Sequence, residues 1–497
     1  MGDYLNDWGT GLWDAPWGKN VTTVIIGDGV TYIGDRCFYK CHDLQTLVIG
    51  ASVREIGLGA FHECSSVREL TLPIAFNASC LQVVIGGTIE SDLPFHNLEK
   101  VTFTGGDGSF YYTTYDYGDY TNTPWHLSRN SLTQVEFAPG VTVIGSNILR
   151  DCSALTSVVL PDTVTKIADS AFRNCTGLER VNLPASLLLI GDSAFRNCGA
   201  LGSVVIPDDV SEVGSYAFAD DANLVSAVVG ATLILPHAFE NCTGLVTVTL
   251  TDDSVVDVGE YAFCGCTKLC VLSMGDSVRF IEACAFAYTA ITDLVIPGTV
   301  TSLGASAFYG CHNLVSVDMG ANLDTVPYKC FADCPLLSQV DFGSVRAVGD
   351  YAFGWCPSLT SVALPDSVKV VGYGAFCWCT SLSDLDLDMV ESIGEYAFKG
   401  CSSLGNLVIP SSVKNIFTGA FIGCDNLEHV TFGYGLRYVE AAVFPAAFYA
   451  SDKVTELTSV QDLAGRSFTM TGGRYVEDVE TSLPTFGVTY AVVRASA

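Results

Sequence analysis

The stretch Leu155–Cys175, LTSVVLPDTVTKIADSAFRNC, is followed two residues later by a near-copy of itself, LERVNLPASLLLIGDSAFRNC, at Leu178–Cys198. Both copies keep Leu, Val, a Leu-Pro pair, Ile and the closing DSAFRNC, and they differ at most other positions. A fixed apolar skeleton with variable residues between its members is typical of a repeated structural unit.

The Phe near the end of this unit recurs along nearly the whole chain. Leu149 fills the same position in one copy, and from there successive markers lie 21 to 24 residues apart, mostly 23. One period held over so many steps predicts a solenoid in which each unit stacks on its neighbours. The marker residues are Phe38, Phe61, Phe172, Phe195, Phe218, Phe239, Phe263, Phe286, Phe308, Phe331, Phe353, Phe376, Phe398, Phe421 and Phe444.

Each fixed position of the unit has a physical meaning. The segment Leu-x-x-Val-x-Leu ends in strict alternation, which predicts a short strand with one buried face. The Pro that follows cannot donate to a ladder and ends the strand. A second apolar pair returns the chain across the core, Gly permits a turn with positive φ, and Ala-Phe and Cys fill the other side of the coil. Counting these segments predicts about eighteen strands, from near Val21 to Leu427.

The repeats IPDDVSEVGSYAFADDANLVSAVV (206–229) and LPDSVKVVGYGAFCWCTSLSDLDL (364–387) resemble the leucine-rich repeats of the BspA-like family. The resemblance covers nearly the whole chain. It implies a solenoid of repeats of about 23 residues with a parallel β-sheet on the concave face. It also implies adhesion and protein binding, because the family is known from surface proteins of oral and gut bacteria and is expanded in several protists.

Departures from the repeat divide the chain into five segments. We expect an aromatic N-terminal lead-in or cap at residues 1–20, a first short array at 21–104, and a main array at 131–448. Between the arrays, residues 105–130 form a Tyr- and Gly-rich insert with a second Pro-Trp lead-in. Residues 449–497 lose the repeat and are expected to form a β-rich C-terminal cap.

Composition limits the partners that the chain can bind. Acidic residues number 54 and basic residues 24, for a net charge of −30. Such a chain is repelled by nucleic acid and by anionic lipid, and it attracts cations or basic partners. No stretch reaches the roughly 18 apolar residues of a membrane span, and the start, MGDYLNDWG, is not a signal peptide. The expected location is extracellular or at the cell surface on family grounds, with the cytoplasm as the alternative.

The sequence contains no pattern that indicates catalysis or a cofactor. The seven His residues show no metal-ligand spacing, and no nucleophile elbow, zinc-protease motif or phosphate-binding Gly loop occurs. We therefore expect a protein that is not an enzyme and holds neither cofactor nor metal. The His residues are His42, His62, His96, His126, His237, His312 and His429.

Thirteen of the twenty Cys recur three residues after the marker position, which favours core thiols over a disulfide ladder. Asp221 and Thr289 replace Cys in two coils without disturbing the period. Seven Cys lie off this column, where local disulfides remain open and zinc finds no familiar ligand spacing. The column consists of Cys41, Cys64, Cys152, Cys175, Cys198, Cys242, Cys266, Cys311, Cys334, Cys356, Cys379, Cys401 and Cys424.

The sequence offers two candidate binding regions. The first consists of the variable residues on either side of the Val in each long strand, which face the concave surface. The second is the insert between the two arrays. On the later strands the variable positions carry five Asp and no Lys or Arg, which favours a basic protein segment over a calcium ion. In the insert, five Tyr lie in a polar loop and suit a contact surface. The candidate residues are Asp293, Asp318, Asp341, Asp384, Asp386, Tyr111, Tyr112, Tyr115, Tyr117 and Tyr120.

Together these features predict a non-enzymatic recognition protein that binds a protein or a glycan through its concave sheet. The alternative is a structural scaffold or assembly subunit that uses its flanks, its ends and the Tyr-rich loop. The two functions differ in which surface must remain intact for partner binding.

Overall fold

The computed structural model describes residues 20–57, 59–73, 95–104, 128–251, 254–433, 435–440, 442–445, 468–471 and 474–477. The chain divides into two units, residues 1–254 and 255–497. Each unit is a solenoid of stacked coils, and each complete coil contributes one long strand and one short strand. Within the described residues, no helix has both the length and the apolarity that a membrane crossing requires.

The described part of the first unit contains ten long strands, and all their pairings are parallel. Neighbouring strands align residues one repeat apart, as in Ser157 opposite Arg180 and Lys166 opposite Leu189. The long strands are Thr23–Ile26, Thr46–Ile49, Glu69–Pro73, Lys100–Thr104, Gln134–Phe137, Ser157–Val159, Arg180–Asn182, Ser203–Ile206, Ser226–Val229 and Thr247–Leu250. The short strands are Tyr32–Ile33, Glu55–Ile56, Val143–Ile144, Lys166–Ile167, Leu189–Ile190, Glu212–Val213 and Leu233–Ile234.

The repeats of the second unit have the same organisation, with eight long strands among the described residues. These are Val271–Ser273, Asp293–Val295, Ser316–Asp318, Gln339–Asp341, Ser361–Ala363, Asp384–Asp386, Asn406–Ile409 and His429–Phe432. The short strands are Asp257–Val258, Phe280–Ile281, Ser302–Leu303, Thr325–Val326, Ala347–Val348, Val370–Val371, Ser392–Ile393, Asn415–Ile416 and Tyr438–Val439. Beyond the repeats, Phe468–Thr471 pairs antiparallel with Arg474–Glu477. The predicted parallel-strand solenoid is confirmed.

The marker Phe residues form the centre of the core. All of them are buried, and their rings stack nearly parallel from coil to coil. In the first unit the Phe172 and Phe195 centroids lie 5.0 Å apart, and in the second unit those of Phe376 and Phe398 lie 5.3 Å apart. Because stacked rings cover one another, the coils that contribute them could not bury their Phe without their neighbours.

The repeat Gly does not provide the positive φ that we expected of it. The left-handed residues lie two before and two after the marker Phe, as at Ser193 and Asn197 around Phe195. Gly191 is required for a different reason, because a Cβ there would lie 2.7 Å from the backbone nitrogen of Asp169 in the preceding coil. The Gly therefore permits close approach between coils, which the sequence pattern alone did not distinguish from a turn.

The column Cys residues are buried thiols that donate hydrogen bonds. Each of ten Sγ atoms donates to the carbonyl of the marker residue in the preceding coil, for example Cys198 to Phe172 at 3.2 Å and Cys379 to Phe353 at 3.2 Å. Burial raises the pKa of the Cys356 thiol to about 12, so this side chain is a neutral donor at physiological pH. Small size is thus only part of the reason for Cys at this position.

Asp221 is a costly exception in the Cys column. Its side chain is fully buried; Oδ1 accepts a hydrogen bond from the Cys198 amide at 2.7 Å, and Oδ2 has no partner among the described residues. Burial raises the pKa of the Asp221 carboxyl well above its usual range, and the nearby Cys242 thiol adds to the rise. A buried polar atom without a partner destabilises a fold by about 1–3 kcal/mol.

We expect Phe308→Ala to lower the free energy of unfolding of the second unit by about 3–5 kcal/mol, because it leaves a cavity in the ring stack. Urea denaturation followed by circular dichroism measures this change. The matched control is Phe280→Ala, which removes a ring that is 41% exposed on the same unit. Equal losses from the two substitutions would contradict a core built on the Phe column.

We expect Asp221→Cys to raise the free energy of unfolding at pH 7 by about 1–3 kcal/mol, because it removes the unpaired carboxyl oxygen. The gain should shrink as the pH falls towards 4. The raised folded-state pKa means that the native Asp221 is stabilising when protonated and loses that contribution as the pH rises. Denaturant titrations at several pH values measure both effects.

The control for Asp221→Cys is Thr289→Cys, at the other exception in the column. The Thr289 hydroxyl already donates to the Phe286 carbonyl at 3.0 Å, so this change should alter stability little. A loss of stability in Asp221→Cys at every pH would show that the buried carboxyl is favourable and that our account is wrong.

Candidate binding surfaces

The long strands place their variable residues on one solvent-exposed face. In Asp293–Val295 the exposure pattern is exposed, buried, exposed, because Leu294 points into the core while the residues on either side point out. The same alternation occurs in Ser157–Val159 of the first unit. We call this surface the strand face; it consists of the residues that flank the central buried residue of each long strand.

All five candidate Asp side chains lie exposed on the strand face of the second unit. Asp318 and Asp341 are directly opposite each other on neighbouring strands, and Val295 continues the same row. Asp384 and Asp386 flank Leu385 on one strand. The structure therefore pairs Asp318 with Asp341 across neighbouring strands and keeps Asp384 with Asp386 on one strand, whereas Asp293 lies opposite Ser316 and pairs with no other candidate Asp.

Three of these carboxylates also have a local structural role that the sequence analysis missed. Asp318 Oδ1 accepts a hydrogen bond from the Gly320 amide at 2.9 Å, and Asp341 Oδ1 accepts one from Gly343 at 2.9 Å. Asp386 Oδ1 accepts from the Asp388 amide at 3.0 Å. Asx turns of this kind end the strand in coils that lack the usual Leu-Pro or Ile-Pro pair, and the missing Pro was the available signal.

Asp293 is held differently, by side chains rather than by its own backbone. The Ser316 hydroxyl on the neighbouring strand donates to Asp293 Oδ1 at 2.6 Å. This hydrogen bond, with a smaller contribution from the Thr292 hydroxyl, holds the pKa of the Asp293 carboxyl below its usual range. The carboxylate is therefore charged at physiological pH.

Apolar residues are exposed on the strand face beside these charges. Val295 is 66% exposed in the second unit, and Val159 and Val205 are 71% and 63% exposed in the first. Val205 lies opposite Val228 on the adjacent strand. In the second unit, where Val295 lies opposite Asp318, aliphatic side chains and carboxylates together form a mixed surface of the kind that protein interfaces bury.

No metal site forms from these carboxylates. Among the described residues, no three His, Cys, Asp or Glu side chains converge closely enough to hold a metal ion. The five Tyr of the insert, Tyr111, Tyr112, Tyr115, Tyr117 and Tyr120, lie outside the described residues.

The structure shows a second set of exposed residues that the sequence analysis did not select. These are Tyr and Trp side chains two or three residues away from the marker Phe in successive repeats of the second unit, such as Tyr328, Trp355 and Trp378. Their signal in the sequence was visible in the motifs GDYAFGWC and GYGAFCWC, where aromatic residues occupy variable positions close to Phe353 and Phe376.

Comparison with known structures agrees with this architecture. A leucine-rich repeat protein from Bacteroides ovatus aligns over 88% of this chain and 94% of its own, with 24% identity and a TM-score of 0.55, which shows a shared fold. A leucine rich cell surface protein from Faecalibacterium prausnitzii matches 64% of this chain and 82% of its own, with 27% identity and a TM-score of 0.38. No curated protein matches the sequence.

The family model for the BspA type leucine rich repeat region matches in six copies, over residues 17–82, 127–225, 232–353 and 346–470. Proteins with these repeats are generally non-enzymatic. Because the model covers well over half of the sequence, the chain belongs to the BspA-type leucine-rich-repeat family.

Proposed function

We propose that this protein is a recognition protein, located at the cell surface or secreted, that binds a protein partner through its strand face. Members of the family are usually surface or secreted proteins, and the leucine-rich-repeat fold is consistent with a binding role. The fixed residues are buried and build the scaffold, whereas the variable residues of the long strands are exposed. Variation is therefore concentrated where it alters the surface without altering the core.

The acidic strand face of the second unit carries this proposal. Between Asp293 and Asp386 its positions include five exposed carboxylates and no Lys or Arg. Carboxylates on neighbouring parallel strands lie about 4.8 Å apart along the sheet, so they repel one another until a positive group lies between them. A Lys- or Arg-rich protein segment supplies those charges together with apolar stems that cover Val295.

A calcium ion fits this surface less well than a basic segment does. Calcium takes six or more oxygen ligands that surround it, whereas a sheet offers its oxygens from one side only. One oxygen of Asp318, of Asp341 and of Asp386 already accepts a backbone hydrogen bond. The second oxygen of each carboxylate can still accept a hydrogen bond from a long Lys or Arg side chain that approaches from solvent.

We expect the triple variant Asp293→Asn, Asp384→Asn and Asp386→Asn to bind a Lys- and Arg-rich peptide about tenfold more weakly, because it removes three charges from the strand face. At position 386 the Asn side chain retains the oxygen that accepts the strand-ending hydrogen bond from the Asp388 amide, so the fold should persist. Isothermal titration calorimetry of the free peptide into the native and variant chains, at several salt concentrations, measures the change in affinity. The affinity of the native chain should fall with added salt, since exposed charges are screened.

The control for net charge is Asp276→Asn, Asp366→Asn and Asp425→Asn, three exposed residues of the same unit that lie off the strand face. Equal weakening by both triple variants would mean that binding follows total charge, and it would defeat the proposal.

A third variant, Tyr112→Ser with Tyr115→Ser and Tyr117→Ser, tests the alternative that the protein is a scaffold which binds through the insert. Loss of partner binding in that variant alone would assign the contact to the insert.

A further inference from the structure

A row of aromatic side chains follows the outside of the turns in the second unit. It consists of Tyr328, Tyr351, Trp355, Tyr373, Trp378 and Tyr396, and we call it the aromatic ladder. Four successive coils contribute to it, with each residue two or three positions away from the marker Phe. The ladder shares no residue with the strand face.

Two residues of the ladder occupy backbone positions that suit Trp poorly. Trp355 and Trp378 have φ values of 60° and 62°, in the left-handed region that favours Gly and Asn. In the first unit the equivalent described positions hold smaller or more flexible residues than Trp, namely Lys40, Glu63, Asp151, Asn174, Asn197, Asp220 and Asn241. The left-handed backbone at this position recurs from coil to coil and belongs to the repeat, whereas the bulk of Trp is a feature of these two coils and is unfavourable in that conformation.

Folding alone does not account for the choice of Trp, because the indoles are not buried. Trp355 is 40% exposed and Trp378 is 46% exposed. Gly400 fills the same position as Trp378 in the next coil, with a φ of 76°. The fold thus accepts Gly at this position. The large exposed rings of Trp355 and Trp378 are therefore not required for the turn to form.

The rings are nevertheless held in defined places. The Trp355 ring stacks on Tyr351 at a centroid distance of 5.5 Å and an interplanar angle of 13°. The Trp378 ring lies over Gly400, where an added Cβ would come within 2.7 Å of the indole. The amides of both Trp donate to carbonyls of the following coil, at 2.7 Å to Cys377 and 2.6 Å to Lys399. An exposed aromatic surface fixed in this way is preorganised for a ligand.

The spacing of the ladder indicates a linear polymer with a short repeat. The Tyr328–Tyr351, Tyr351–Tyr373 and Tyr373–Tyr396 centroids lie 6.3, 5.1 and 5.6 Å apart, and the two rings of each pair meet edge to face. A polyproline II peptide, which also docks on aromatic residues, repeats only every ~9 Å. The Tyr residues of the ladder place one ring in each coil, at a spacing close to the length of one pyranose sugar in a chain. Trp355 and Trp378 add a second ring in two of the four coils.

The charges around the ladder favour an uncharged ligand with many hydroxyl groups. Asp333 occupies the position equivalent to Trp355 in the preceding coil, and its side chain is 45% exposed. The column that carries the two indoles therefore has a carboxylate in the adjacent coil. Lys329 lies 5.2 Å from the Tyr328 ring, and Lys399 lies 5.0 Å from the Tyr396 ring. These cations cover tyrosine faces and balance part of the acidity, while the strongly acidic chain as a whole repels anionic polymers.

We propose that the aromatic ladder binds a neutral linear glycan. The apolar C–H faces of successive sugars pack on Trp355 and Trp378, and sugar hydroxyls donate to the Asp333 carboxylate. This site is separate from the strand face, so it stands or falls independently of the protein-binding function proposed above. It would allow the chain to hold a polysaccharide and a protein at the same time.

The experiment uses the double variant Trp355→Asn and Trp378→Asn, which installs a residue that the first unit uses at the same left-handed position. Calorimetric titrations with cellohexaose, laminarihexaose and mannohexaose, and with a proline-rich peptide, are run on native and variant chains. We expect at least one hexasaccharide to bind the native chain and to bind the variant about tenfold more weakly. The melting temperature of the variant should be unchanged or higher, since backbone strain is relieved.

Two further variants separate binding from structure. Tyr288→Asn makes the same change at an exposed left-handed Tyr outside the ladder, and it should leave glycan affinity unaltered. Trp355→Phe with Trp378→Phe keeps a ring at each position and should retain most of the affinity. The proposal is overturned if no hexasaccharide binds the native chain, if the Asn variant binds as well as the native chain, or if the proline-rich peptide alone binds. A marked fall in melting temperature in the Asn variant would assign the indoles a structural role instead.

Discussion

The constraint on which the rest of the structure depends is the backbone register between successive coils. In the described part of the chain, the amides of twelve marker Phe donate to the carbonyl of the residue preceding the next marker, as in Phe172 to Ala194 and Phe263 to Ala285, both at 2.7 Å. This contact repeats along each unit and fixes the distance by which one coil is displaced from the next. The stacked rings, the strand pairing and the close approach at Gly191 all follow from that fixed displacement.

The Cys column shows how closely the side chains follow this register. A thiol in one coil reaches the carbonyl of the marker residue in the coil before it, so the position requires a small side chain that can donate a hydrogen bond. Thr289 is also small and pairs its hydroxyl, although it donates to the Phe286 carbonyl of its own coil and not to the coil before. Asp221 meets the size requirement but leaves Oδ2 unpaired. The same repeat therefore tolerates a substitution at a cost that depends on hydrogen bonding rather than on volume.

A rigid repeating core leaves two regions free to vary, and they suit different ligands. The strand face presents charges and aliphatic side chains on a regular sheet, which matches an extended basic peptide. In the second unit the turns beside the marker Phe present one or two aromatic rings in each of four successive coils, which is the basis for the proposed polymer ligand. In both regions the scaffold fixes the spacing, and the residue types determine the chemistry of the partner.

The sequence by itself determined the period, the fold class, the long strands and the burial of the marker Phe, because these follow from apolar spacing that any stacked coil must satisfy. It also placed the five Asp on an exposed face, since alternation along a strand is a local property. The missing Pro was a signal for the strand ends at Asp318 and Asp341, but the sequence could not show the hydrogen bonds that form there, or that the repeat Gly permits close approach instead of a turn. Nor could it show that Trp355 and Trp378 are exposed in a left-handed conformation. Those features depend on distances between neighbouring coils and on backbone angles, which only the tertiary structure decides.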